Sequence, residues 1–89
     1  MIHDITQIIL AAIPDAEVHV SDPQQDGQHF QALVISPSFE GIPLVKQHHM
    51  VMKAMQPAME TAVHALALKT FTPEKWQHAK KDYISWVPH

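Results

Sequence analysis

The stretch His29-Phe30-Gln31-Ala32-Leu33-Val34-Ile35-Ser36-Pro37 decides the fold. Its β-branched and aromatic residues favour a strand, with Phe30, Ala32 and Val34 on one face and Leu33 and Ile35 on the other. Pro37 ends it, because proline cannot donate to a strand ladder. Just upstream, Asp22-Pro23-Gln24-Gln25-Asp26-Gly27 is turn chemistry. Before that turn, Val18 and Val20 alternate with Glu17, His19 and Ser21, which is the period of a short half-buried strand. Two strands joined by so short a loop pair antiparallel.

Downstream, Ser38-Phe39-Glu40-Gly41 turns the chain into a long helical stretch whose first turn tolerates Pro43. Leu44, His48, Val51, Met52 and Met55 recur on one face, and Pro57 predicts an end or kink near Gln56 with resumption through Ala58, Met59 and Ala62. Val63-His64-Ala65-Leu66-Ala67-Leu68-Lys69-Thr70 is then a buried third strand. Returning through a helix, it lies parallel to the strand the chain left, by a right-handed crossover. Thr72 caps a last helix with Pro73 at its first position, and Trp76 and Ala79 face the core. At the N-terminus, Ile5, Ile8, Ile9, Ala12 and Ile13 form an amphipathic helix, with Asp4 as its N-cap and Pro14 as its stop. The order α-β-β-α-(α)-β-α predicts an α+β domain, a three-stranded mixed sheet with helices packed on one face. The domain is expected over residues 1–82, with 83–89 as a tail of no clear period.

The 89 residues suffice for one domain only. With 46% apolar and 17% charged residues the chain is built to fold, and its size predicts one thin core without a deep catalytic cleft. Ser21, Ser36 and Ser38 stand in no recognisable nucleophile setting, so an enzyme is not expected. The absence of cysteine excludes disulfides, thiolate zinc sites and thiol catalysis, so any metal must bind nitrogen or oxygen. No apolar run approaches the roughly 20 residues of a membrane span. Met1-Ile2-His3-Asp4 lacks a basic secretory start, which predicts a cytoplasmic protein. Net charge is −3, opposite to the basic excess of a nucleic-acid module.

Histidine is the compositional outlier: His3, His19, His29, His48, His49, His64, His78 and His89. Imidazole titrates near neutrality and is a common metal ligand. His48 and His49 are adjacent on a helix, about 100° apart, and cannot chelate one metal together. His48 falls on the apolar stripe, where a buried, hydrogen-bonded role is expected, and His49 joins Lys46 and Lys53 on a solvated face. Met50, Met52, Met55 and Met59 are expected to fill core gaps.

Three ordered segments resemble the BolA family: Asp26-Gly27-Gln28-His29-Phe30, then the run from Val34 to Val51 with Phe39-Glu40-Gly41 ahead of Lys46-Gln47-His48-His49, then the run from Val63 to Trp76. The resemblance spans roughly residues 4 to 80. It implies a fold similar to a class II KH domain, with the element order already read. It also implies a partner, a monothiol glutaredoxin, and a two-iron, two-sulfur cluster shared with it for cluster delivery or iron regulation. In that arrangement the glutaredoxin and glutathione supply thiolates, and the BolA-like protein supplies a histidine of its C-terminal motif and a histidine or cysteine of the loop between its first two strands. The first position corresponds to His64. For the second, His29 at the loop's far edge is preferred and His19 is the substitute. No cofactor is expected in the isolated protein.

The resemblance also brings an alternative, a DNA-binding transcriptional regulator using the helix 43–55 through Lys46, His49 and Lys53. Here the chain departs from the family, whose central helix usually reads arginine-histidine-arginine where this one has Gln47-His48-His49. Two guanidiniums are thereby replaced by an amide and a titratable imidazole, which weakens phosphate contacts. With only Gly27 and Gly41 in the chain, there is no GxxG clamp of the KH type. Lys69, Lys75, Lys80 and Lys81 make the C-terminal quarter the most basic part, a solvated face that a glutaredoxin could also use for docking.

Overall fold

The computed structural model describes residues 1–87. Helix α1 runs Ile2–Ala12, strand β1 Glu17–Ser21 and strand β2 His29–Ile35; a 3₁₀ turn, Pro37–Phe39, leads to helix α2, Leu44–Thr61. Strand β3, Ala65–Phe71, is followed by helix α3, Pro73–Ala79, and a 3₁₀ segment, Lys80–Trp86. The sheet order is β1-β2-β3, antiparallel between β1 and β2 and parallel between β2 and β3. The mixed α+β sheet read from the sequence is therefore the one formed.

β2 lies at the centre, which explains why both of its faces are apolar. Phe30, Ala32 and Val34 meet Ile5, Ile9, Ile13, Val20, Phe39, Val51, Met55 and Val63 in the main core beneath α1 and α2. Each fully buried Val, Ile, Met or Phe side chain among them contributes roughly 1.5–3 kcal/mol. Leu33 and Ile35 point the other way and pack with Trp76, Phe71, Tyr83, Trp86 and Val87. The two long helices thus cover one face as expected, and the C-terminal segment covers part of the other. Tyr83, Trp86 and Val87 of the expected tail accordingly pack on this face while Ile84 and Ser85 stay exposed, and Pro88 and His89 lie outside the described residues.

Thr72 caps α3, its hydroxyl accepting from the Lys75 N–H at 3.3 Å with Pro73 in the first turn, as its sequence signals. Other local expectations change. α1 begins at Ile2, so Asp4 sits inside the first turn and is no N-cap. α2 passes through Pro57 without ending. Pro57 is on the exposed side, and Val51 and Met55 before it and Ala58 and Met59 after it all pack on the same core, which outweighs the local cost of proline. The third strand starts at Ala65, leaving His64 in the bend before it.

The inward stripe of α2 is Gln47, Val51 and Met55, whereas Leu44 is 58% exposed. Gln47 is admitted because its amide is satisfied: Nε2 donates to the Ile42 carbonyl at 2.7 Å, and Oε1 accepts from the Thr70 hydroxyl at 2.8 Å. His48 is half-buried and has no hydrogen-bond partner among the described residues, against the expected buried and bonded role. Met55 is in the core and Met50 and Met59 pack at its edge, but Met52 lies outside it, lining a surface groove with His49 and Lys53. No helix among the described residues is long and apolar enough to cross a membrane.

Candidate metal-ligating site

The loop from Asp22 to Gln28 is built by its own carboxylates. Asp22 accepts the Gly27 N–H at 2.9 Å and the Asp26 N–H at 3.3 Å. These bonds close the turn over Gly27, whose φ of +67° is one that glycine adopts freely. Asp26 then accepts the N–H groups of Gln28 at 2.9 Å and His29 at 3.0 Å through Oδ1, while its Oδ2 lies 2.7 Å from His29 Nδ1. The Gln28 and His29 backbone N–H groups, and then the His29 ring, hold the Asp26 carboxyl far below the usual carboxylate range.

The same loop end is tied to the far part of the chain. The Gln28 carbonyl accepts the N–H groups of both His64 and Ala65 at 3.0 Å, and His29 pairs with Ala65 as the first rung of the parallel ladder. His29 and His64 therefore stand side by side, rings edge to face with centroids 5.2 Å apart. His64 is exposed, and no hydrogen bond holds its ring among the described residues. The His29 side chain is 39% exposed. His64 also borders a shallow depression with Gln28, Met59 and Glu60.

His19 does not join them. It pairs with Leu33, four residues along β2 from His29, or about 13 Å at strand rise. Its Nε2 is instead 2.6 Å from Glu17 Oε2. Of the two loop candidates, geometry places only His29 beside His64.

Two imidazoles on one tetrahedral metal, each nitrogen about 2 Å from it, have ring centres roughly 5 Å apart, so this pair has the spacing of a shared metal. Among the described residues no set of three or more His, Cys, Asp or Glu is arranged to hold a metal ion. The fold brings two imidazoles together, with no third such ligand beside them among the described residues. The residue that sequence reading overlooked is Asp26, whose signal is the Asp-x-x-His spacing of Asp26 and His29.

Lys46, His49 and Lys53 are all exposed on α2, at i, i+3 and i+7. Gln47, in contrast, is only 5% exposed, so this position faces the core and carries no phosphate contact for an arginine to strengthen. Lys75 lines a groove with Phe39, Ile42 and Thr72 at the opposite end of the sheet from the histidine pair.

The family model of the BolA-like proteins matches residues 6–75. The chain belongs to the BolA family. This BolA-like chain is 31% identical over 80 residues to the acid stress protein IbaG of Escherichia coli K12, covering 89% of itself and 92% of that relative. It is 30% identical over 80 residues to the DNA-binding transcriptional regulator BolA of Haemophilus influenzae, covering 90% of itself and 73% of the relative. The structure of a BolA homologue from Coxiella burnetii superposes with a TM-score of 0.74 at 36% identity, covering 86% of this chain and 96% of that one. These relatives bear the names of a stress protein and a regulator, not of enzymes.

Proposed function

We propose that this BolA-like chain is a non-enzymatic, cytoplasmic adaptor that pairs with a monothiol glutaredoxin and co-ligates a two-iron, two-sulfur cluster for cluster delivery or iron regulation. The observation that supports it is the His29–His64 pair, two accessible imidazoles at the spacing of one shared metal. A cluster iron accepts two histidines in Rieske centres, so the donor set suits the group. The chain holds these donors on backbone that its fold fixes twice over, by the β2–β3 ladder and by the Gln28 carbonyl, and leaves the remaining ligands to the glutaredoxin and glutathione. The test is visible circular dichroism during anaerobic titration of the chain into a cluster-loaded monothiol glutaredoxin, with His64→Ala alongside. A change saturating near one-to-one and lost or altered in the variant is expected; identical spectra for variant and parent sink the reading.

A second reading is DNA binding through α2. It is favoured by the exposed Lys46-His49-Lys53 stripe and by the regulator name of the Haemophilus influenzae relative. Binding carried by Lys46 and Lys53 loses affinity with salt at a log-log slope of about −0.9 per phosphate neutralised. Absence of any promoter-fragment shift at low salt dismisses it.

A further inference from the structure

Resting on the adaptor reading, we infer that Asp26 is a positioning residue that fixes His29 in the tautomer carrying its proton on Nδ1, so that Nε2 is the atom offered to the shared cluster. The argument is one of hydrogen-bond capacity. An ionised carboxylate only accepts, so the proton in the 2.7 Å contact between Asp26 Oδ2 and His29 Nδ1 belongs to the ring. Neutral imidazole has one N–H, and placing it on Nδ1 leaves the lone pair on Nε2. A carboxylate behind the non-ligating nitrogen is the arrangement by which metal-binding histidines are commonly oriented and made better donors.

Asp26 can do this because it is itself held. Its other oxygen accepts the N–H groups of Gln28 and His29, and its own N–H is bound by Asp22, so the carboxylate cannot swing away without breaking the loop. His64 has no such support among the described residues. The two ligands are therefore unequal: the loop histidine is anchored in ring orientation and tautomer, and the His64 ring is free to adjust to the incoming partner.

Asp26→Asn isolates the effect. The asparagine carbonyl can keep both backbone N–H groups, which turns its NH₂ toward His29 Nδ1 and forces the ring proton onto Nε2, where it blocks ligation. The tautomer is read on the free ¹⁵N-labelled chain by long-range ¹H–¹⁵N imidazole correlations above neutral pH. His19 serves as internal contrast, because its Nε2 faces Glu17 and so carries the proton there. Expected are Nδ1–H at His29 in the parent chain, Nε2–H in Asp26→Asn, a thermal unfolding that stays cooperative with a lowered midpoint, and a loss of about tenfold or more in cluster lifetime in the glutaredoxin complex. A parent His29 already protonated on Nε2, or no tautomer change in the variant, overturns the inference. A flipped tautomer with unchanged cluster lifetime also overturns it and leaves the adaptor reading to His64→Ala. If the unmutated chain never alters the cluster spectrum, the adaptor reading falls and takes this inference with it, whatever tautomer the free chain shows.

Discussion

His29 and His64 meet edge to face at the N-terminal ends of two parallel strands, their ring centroids 5.2 Å apart. Two ligands of one metal act as a unit, so their losses do not add. His29→Ala and His64→Ala are each expected to shorten cluster lifetime in the glutaredoxin complex by on the order of tenfold or more, and the double variant by little beyond the worse single one. His19→Ala leaves the lifetime unchanged. His64 is exposed with no hydrogen bond to its ring, so His64→Ala should stay within about 0.5 kcal/mol of the parent in unfolding free energy, whereas His29→Ala also loses the bond to Asp26 and should be modestly less stable. Additive losses in the double variant would show that the two rings do not share one metal.

The Gln47–Thr70 pair predicts a stability effect remote from that site. Thr70→Val removes the hydroxyl that donates to Gln47 Oε1 and leaves a buried amide oxygen without its partner. The expected cost is about 1–3 kcal/mol in urea unfolding, with no change in cluster lifetime. A value near zero would mean that Gln47 finds another donor or water.

Most of the fold was legible because it rests on period and punctuation: the two-faced β2 run, Pro37, and the Thr72-Pro73 cap all act locally. What failed to show needed tertiary partners. Gln47 reads as a surface residue and Leu44 as a core one, until Ile42 and Thr70 satisfy the amide and the first turn of α2 projects outward. Pro57 reads as a break, until the packing on both sides of it is seen. At the site, resemblance pointed to His64 and preferred His29 with His19 as substitute; strand register adds a physical separation, because it sets His19 four rungs away. The Asp-x-x-His spacing of Asp26 and His29 permits their contact, but the turn that brings the two side chains together shows only in the fold.

Acid should weaken the domain through its bonded carboxylates. Ser36 and Ser38 both donate to Asp15, at 2.5 and 2.7 Å, and these bonds, that of Ser36 foremost, lower the Asp15 pKa; Asp26 is lowered by its backbone donors. A folded-state pKa below the unfolded one gives stability that is fully present above the unfolded value, about 3.9, and is lost as pH falls through the folded one. The urea midpoint should therefore be flat from this source between pH 7 and about 5 and decline below about 4. Asp15→Asn should flatten the decline while lowering the midpoint at pH 7. A decline that keeps its full size in Asp15→Asn would assign it to other groups.

The aromatic layer on the second face of the sheet packs Tyr83, Trp86 and Val87 against Leu33 and Ile35. Tyr83 is its hub, with ring centroids 5.3 Å from Phe71, 6.4 Å from Trp76 and 6.1 Å from Trp86. Aromatic pairs of this kind add roughly 0.5–1.5 kcal/mol each beyond the area they bury, and losing a half-buried ring also exposes Leu33 and Ile35 beneath it. Tyr83→Ala is therefore expected to cost about 2–4 kcal/mol in urea unfolding and to reduce the near-ultraviolet circular dichroism of the tryptophans. Tyr83→Phe keeps the ring, and since the hydroxyl has no protein partner among the described residues, it should stay within about 0.5 kcal/mol of the parent. Were Tyr83→Ala as stable as the parent, the domain would end at residue 82 as its sequence suggests, and the layer would contribute nothing to folding.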